Sequence, residues 1–332
     1  NKEKYMRIAI TGENGFIAKN LAKEINADFL KTFVSLTNDK NLKEKLETGE
    51  PCVYRNTEDE WYQAFIDNQL DVIVHNAAVV GTDVVALNPD HSIMTNVLGT
   101  QRITNAANRA GILNVYLGTT VIYDTPKYQE NPITEFSDIH PRTLYAAQKY
   151  AGEMFVRNSS DNWLVMRPLF AYGGEGDMNS LIAKTMFALK NGVKELDMFL
   201  DPLKTKDYMH VSDFCRAIMI AIESNVRNEH FNVAANQPYN TQGIVDMIHR
   251  RTGMQPNKII KWHPETDYLG NHILSTSKFE YHFGLLRKIP LYEGVKMSWN
   301  SIQDAGSDYN PLKYLEQAKE SNTDLVNFFP KV

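Results

Sequence analysis

The chain is poor in cysteine, lacks any long apolar run and has no excess of positive charge. Its 332 residues include only two cysteines, Cys52 and Cys215, far apart and without metal-ligand spacing. Such usage excludes a disulfide scaffold and gives no sign of a metal centre, and it fits a reducing compartment. No uninterrupted apolar run approaches the about 20 residues that cross a bilayer. The first apolar run is only strand length and no cleavage pattern follows it, so a cytoplasmic protein without membrane attachment is expected. The formal net charge of −5 argues against nucleic acid or an acidic membrane surface as a partner. There is no internal repeat or low-complexity stretch. With 43% hydrophobic and 23% charged residues, the composition is that of an ordinary globular protein, one large α/β unit or two lobes.

Against that background one stretch stands out: Thr11-Gly12-Glu13-Asn14-Gly15-Phe16-Ile17-Ala18. The apolar run Arg7-Ile8-Ala9-Ile10 leads into it and an amphipathic run from Phe16 to Ile25 leads out. Strand, glycine-rich turn and helix in that order aim backbone N–H groups and a helix dipole at an anion, usually a pyrophosphate. Gly12 can take the turn's backbone angles, and Gly15 lets the backbone approach the ligand. Two glycines alone do not distinguish this from an ordinary turn.

Further signals follow along the chain. Thr32-Phe33-Val34-Ser35-Leu36 reads as the second strand. An acidic residue at its end would hold the adenosine ribose. The nearest acid, Asp39, comes two or three residues late, and Lys40 and Lys43 follow it. That tips the expectation toward NADP over NAD; the alternative is a solvated loop with Asn38 on the ribose. Cys52-Val53-Tyr54 reads as a third strand, with Asn56 and Thr57 placed to bond an adenine. Asp71-Val72-Ile73-Val74-His75-Asn76-Ala77-Ala78 reads as a buried parallel strand ended by small residues that let a ligand lie over its tip. His75 is expected to be packed and hydrogen-bonded rather than catalytic. Residues 79–90 read as a loop, and Asn96 lies in the helix beyond. Val115 to Tyr123 is a further strand and its exit, with Thr119 and Thr120 at the tip.

Tyr145 and Lys149 are four apart in an alanine-rich helical stretch, so they share one face. A lysine ammonium beside a phenol would lower its pKa from about 10 and equip the tyrosine for general acid/base work. A plain surface pair has the same spacing.

Taken as an ordered set, the motifs are far more specific. They run Thr11-Gly12-x-x-Gly15-Phe16-Ile17, His75-Asn76-Ala77-Ala78, Asn96-x-x-Gly99-Thr100, Thr119-x-x-x-Tyr123, Thr134-Glu135, Tyr145-x-x-x-Lys149 with Glu153, Arg167-Pro168, and Lys206-Asp207-Tyr208-Met209-His210-Val211-x-Asp213. In this set the chain resembles the extended short-chain dehydrogenase/reductase family, and within it the nucleotide-sugar epimerases and reductases. The resemblance implies an α/β fold: a Rossmann-type doubly wound, mainly parallel, seven-stranded sheet with a smaller C-terminal substrate lobe. The NAD(P)-binding domain would span 6–168, with 207–235 returning to it, and the lobe 169–206 and 236–330. Residue by residue, the resemblance makes Tyr145 the acid/base, Lys149 its partner and a nicotinamide-ribose ligand, and Thr119 the group that bonds the reacting sugar. Gly12, Asn14, Gly15, Phe16, Ile17, Ala77, Ala78, Asn96 and Pro168 would join Asn38, Asn56 and Thr57 around the cofactor. Val80, Thr120, Tyr172, Asn179 and Lys206 would meet the substrate. No metal is implied, and a homodimer is, through paired helices near 96–109 and 145–158.

Departures narrow the reaction. Thr120-Val121 stands where sugar 4,6-dehydratases carry Asp-Glu after the threonine, so dehydration ranks low. Phe170 stands where many epimerases have an asparagine on the nucleotide diphosphate. Lys206 replaces a usual arginine and loses its bidentate fork. The expectation is an NAD(P)-dependent epimerase working through a keto-sugar on a nucleotide-linked sugar. The alternatives are an NADPH-dependent reductase of a keto-sugar or other carbonyl compound, and a dinucleotide-sensing regulator without turnover. The sugar and the nucleotide are not readable.

Overall fold

The computed structural model describes residues 5–28, 30–36, 57–123, 132–159, 162–306, 309–313 and 315–316. The twelve strands among them are β1 (Met6–Thr11), β2 (Lys31–Val34), β3 (Val72–His75), β4 (Leu113–Leu117), β5 (Trp163–Pro168), β6 (Ala171–Tyr172), β7 (Leu196–Met198), β8 (Thr205–Asp207), β9 (Met209–His210), β10 (Glu229–Val233), β11 (Pro238–Asn240) and β12 (Ile260–Trp262). Six of these form the central sheet in the order β10-β5-β4-β3-β1-β2, and every pair in it is parallel. The third-strand expectation at 52–54 lies outside the described residues.

Apolar residues on both sides of each strand explain the burial of the sheet. Ile8 and Ile10 of β1 join one core, and Ala9 between them faces the other, the period-two alternation of a pleated strand. Helix α1 (Phe16–Asn26) buries Ala18, Leu21 and Ile25, at helical spacing, on the first face. On the opposite face lie α2 (Glu58–Asp67) and, after a short helical series, α5 (Thr100–Ala110). That series is α3 (Thr82–Leu87), α4 (Pro89–Ile93) and a π-helical turn, Met94–Gly99. The sequence pattern had made 79–90 a loop. Its helices are too short to show a period; Val85 alone is buried in α3, which packs on α6 (Leu144–Arg157).

β2 pairs on one side of β1 and β3 on the other, so the chain reverses its winding between them. Ligands of such sheets bind in the crevice at that reversal, beyond the carboxyl ends of the strands. The glycine turn leaves β1 at this point.

A second apolar core gathers around α7 (Leu181–Lys190), α9 (Thr241–Thr252) and α11 (Leu291–Asp304), with β7 and β12. Helix α8 (Val211–Glu223) buries its apolar side chains in the first core and packs on α1. The short α10 (Ser277–Phe283) packs on β10. Among the described residues no helix is long and apolar enough to cross a membrane.

Candidate active site

The turn after β1 is built for close approach. Gly12 has φ +67°, and a Cβ there would lie 2.9 Å from Ala77 Cα. Both the left-handed backbone and the contact with the exit of β3 require glycine. Gly15 N donates to Gly12 O at 2.8 Å, and Lys19 N to Gly15 O at 3.0 Å. Gly15 caps α1 without a side-chain hydrogen bond, and the first turn carries no acid. The helix's leading N–H groups are therefore left for an anion. These features fit a dinucleotide pyrophosphate. Gly12→Ala should lower dinucleotide affinity by about tenfold or more and cost about 1–3 kcal/mol of stability, which titration calorimetry and thermal unfolding would measure.

The same junction is tied together by a chain of buried hydrogen bonds. Thr11 Oγ1 accepts from Asn76 N (3.1 Å) and Ala77 N (3.0 Å), so its own proton goes to His75 Nδ1 at 2.7 Å. His75 Nε2 then donates to Thr100 Oγ1 at 2.9 Å, and Thr100 donates to Asn96 O at 2.8 Å. The partners thus assign the tautomer. Burial, with Lys149 nearby, pushes His75 down to about 3. His75 is a neutral strut, in keeping with the packed role expected of it.

A cavity of about 740 Å³ opens above this junction, within the size range of cofactor and ligand sites. Gly12, Asn14, Gly15, Phe16 and Ile17 line it, as do Ala77, Ala78 and Pro168. Thr119, Tyr145 and Lys149 line it too, together with Val80 and Asn179.

Tyr145 stands in the first turn of α6, which Thr143 caps by accepting from Ala146 N at 3.1 Å. Thr119 neighbours the phenol and favours its charged form. Lys149, one turn on, donates from Nζ to Leu117 O at 2.7 Å and lies 4.3 Å from the centre of the Tyr116 ring. Burial pushes Lys149 down to about 7. It also raises the Tyr145 phenol above its usual value; the neighbouring Tyr268 acts in the same direction and Thr119 opposes both. Burial of the phenol is the largest of these influences. A lysine pushed down by burial carries a penalty present in full below about pH 7 and relieved as pH rises toward its unfolded value. Lys149→Met should therefore raise the free energy of unfolding, read from urea titration at pH 6, by about 1 kcal/mol or more, and this advantage should shrink above pH 7.

Five expected ligand residues are not brought to the cavity. Thr57 caps α2 in a reciprocal pair with Glu60 (3.2 and 3.0 Å). Asn96 holds the Val79 backbone at both N (2.8 Å) and O (3.0 Å), and also Gln148. Thr120 is fully buried and bonds Pro168 O at 3.4 Å. Tyr172 is buried against Gly294, where a Cβ would collide with its hydroxyl. Lys206 is fully buried, bonded to Asp267 Oδ2 (2.7 Å) and Gly270 O (2.8 Å). Asn38 and Asn56 lie outside the described residues. Conversely, Glu13, Trp61, Met94, Arg102, Phe170 and Met178 line the cavity without having been singled out as ligands. Glu13 falls on an unspecified position of the Thr11-Gly12-x-x-Gly15 motif, and Phe170 enters the sequence pattern only as a departure. Phe170 adopts φ +38° and stacks on Tyr208.

Other motif residues form a buried network behind the cavity wall. Arg167 grips Glu153 through two nitrogens, one at 2.9 Å, and donates to the Tyr123 hydroxyl. Tyr123 donates to Asn232 Oδ1 at 2.8 Å, and Asn232 N to Glu135 Oε1 at 2.7 Å. The network joins α6, β5 and β10.

The chain matches the model of the NAD dependent epimerase/dehydratase family over residues 8–234. It is 25% identical over 313 residues to a Methanocaldococcus jannaschii protein described as a candidate UDP-glucose 4-epimerase, covering 90% of this chain and 98% of that one. Its fold is similar to UDP-glucose 4-epimerase of Thermotoga maritima with UDP-glucose (TM-score 0.77, 22% identity, 90% and 99% covered). RMD of Pseudomonas aeruginosa complexed with NADPH is also similar (TM-score 0.73, 18% identity, 90% and 99% covered).

Proposed function

The chain belongs to the NAD dependent epimerase/dehydratase family, and from that premise we propose that it epimerises a nucleotide-linked sugar through a keto-sugar. One observation carries the reading: Thr119, Tyr145 and Lys149 meet on the cavity whose floor is the glycine turn. The bound dinucleotide supplies the hydride acceptor and, when oxidised, a positive charge that favours the phenolate. Thr119 and Tyr145 would bind the reacting hydroxyl between them. Tyr145 Oη would take its proton as the carbonyl forms and return it when the carbonyl is reduced on its other face. Lys149 would hold its proton close to the phenol, near its own titration point, and so ease both transfers. Residues 6–168 with 207–235 would form the cofactor domain, and the second core the substrate lobe.

A keto-sugar reductase is the second reading, favoured by Phe170, which presents an aromatic wall where a diphosphate contact was expected. The lining of the cavity argues against dehydration. Glu13, at the glycine turn, is the one carboxylate among the described lining residues, and Thr120 is turned into the core. A homodimer is supported by half-exposed Leu87, Ile93 and Met94 beside Leu144, Met154 and Phe155 of α6.

The test is incubation with UDP- and dTDP-hexoses and with their 4-keto forms. An epimerase inverts a sugar carbon, read by NMR, with no net change at 340 nm. A reductase consumes reduced cofactor in proportion to keto-sugar. Neither change, in protein that binds dinucleotide, would overturn both readings.

A further inference from the structure

Glu13 leans from the glycine turn across to β2. Its Oε1 accepts from Ser35 Oγ at 3.0 Å, and the Leu36 backbone also bonds the carboxylate. Its Oε2 is buried and has no hydrogen-bond partner among the described residues. Burial holds the carboxyl above its ordinary range despite both donors. A carboxylate oxygen kept from water and left unpaired is costly, and such groups gather at functional sites. Leu36 and Glu13 both line the cavity, and Trp61 packs on the cluster that holds Leu36. In a dinucleotide fold the adenosine ribose lies at the tip of the second strand, beside the pyrophosphate turn. Terminal rotation of a glutamate carboxylate is soft, so Oε2 can swing toward that position while the backbone stays in place.

We propose that Glu13 performs the task usual for an acid at the end of the second strand: its carboxylate accepts a hydrogen bond from a ribose hydroxyl of NAD and repels the 2′-phosphate of NADP. The inference rests on the reading of the cavity as a dinucleotide site. It reverses the expectation drawn from Lys40 and Lys43, which lie outside the described residues. The carboxylate is supplied by the turn, so the strand end has no need of an acid.

The experiment is calorimetric titration of the full chain with NADH and NADPH, for the native protein, Glu13→Gln and Glu13→Ala, with thermal unfolding alongside. The native protein should bind NADH at least about tenfold more tightly than NADPH. Losing a hydrogen bond to a charged group should weaken NADH binding about 10- to 100-fold, and NADPH binding should strengthen. Native preference for NADPH overturns the inference by itself, whatever the variants do. An unchanged NADH/NADPH ratio in folded variants overturns it as well. If the native protein binds neither cofactor, the dinucleotide reading fails and the inference with it; binding with an unmoved ratio removes the inference alone.

Discussion

Tyr145→Phe is expected to lower kcat by about 10²- to 10⁴-fold, the ordinary worth of a positioned acid/base, while dinucleotide affinity holds. Removing the hydroxyl leaves the ring, so packing in α6 is preserved. The lost atom belongs to the side chain that shares the cavity lining with Thr119. Thr119→Val should reproduce part of the loss, mainly as weaker turnover of the same substrate. Binding is read by titration and turnover by the sugar assay, so the two effects separate. Full turnover in Tyr145→Phe would take Tyr145 out of the chemistry and leave binding without catalysis, the behaviour of a dinucleotide sensor.

The second large effect is on stability. Arg167 and Glu153 are 0% exposed and bonded through two nitrogens. Taking out Arg167 leaves the buried Glu153 with the partly exposed Arg157, at 3.3 Å, as its ion-pair partner. A fully stranded buried charge costs about 3–5 kcal/mol, so a loss toward the lower end of that range is expected. Arg167→Met should therefore shift the urea midpoint strongly. It also strips the Tyr123 hydroxyl of a donor and loosens the link through Asn232 to Glu135. Glu153→Leu together with Arg167→Met should recover much of the loss, because an apolar pair of similar volume is often as stable as a buried ion pair. If the double variant were no better than the single one, the cost would lie in packing or in the Tyr123 link rather than in the stranded charge.

These expectations show where the motifs divide. In the sequence, Thr119-x-x-x-Tyr123 and Tyr145-x-x-x-Lys149 with Glu153 read as one catalytic signature. In the fold, Thr119, Tyr145 and Lys149 face the cavity, while Tyr123 and Glu153 bind Arg167 behind the wall. Four-residue spacing on a helix places Glu153 in line with Lys149, but which neighbour it meets depends on β5. Lys206 is the sharper case. A cation at the start of an Asp-Tyr-Met-His stretch was expected to meet a substrate phosphate. It is instead neutralised by Asp267, 61 residues away in sequence, and no local pattern marks that partner. Thr57 is a helix cap for the opposite reason: Glu60, three residues on, is a local signal for a capping box, and it competes with the adenine contact that the position also suggests.

The sequence by itself determined the glycine turn, the strand before it, the helix after it and the order of the parallel sheet's motifs. Each of these rests on local periodicity, backbone freedom at Gly12 or residue spacing within one turn. Tertiary structure alone decided which polar groups serve the cavity and which serve the core. It tied Lys149 to a carbonyl, buried Tyr172 and Lys206 in partners, and drew Glu13 to the edge of the second strand. Charge and hydrogen-bonding capacity are properties of a residue, but their use depends on what distant segments bring within about 3 Å.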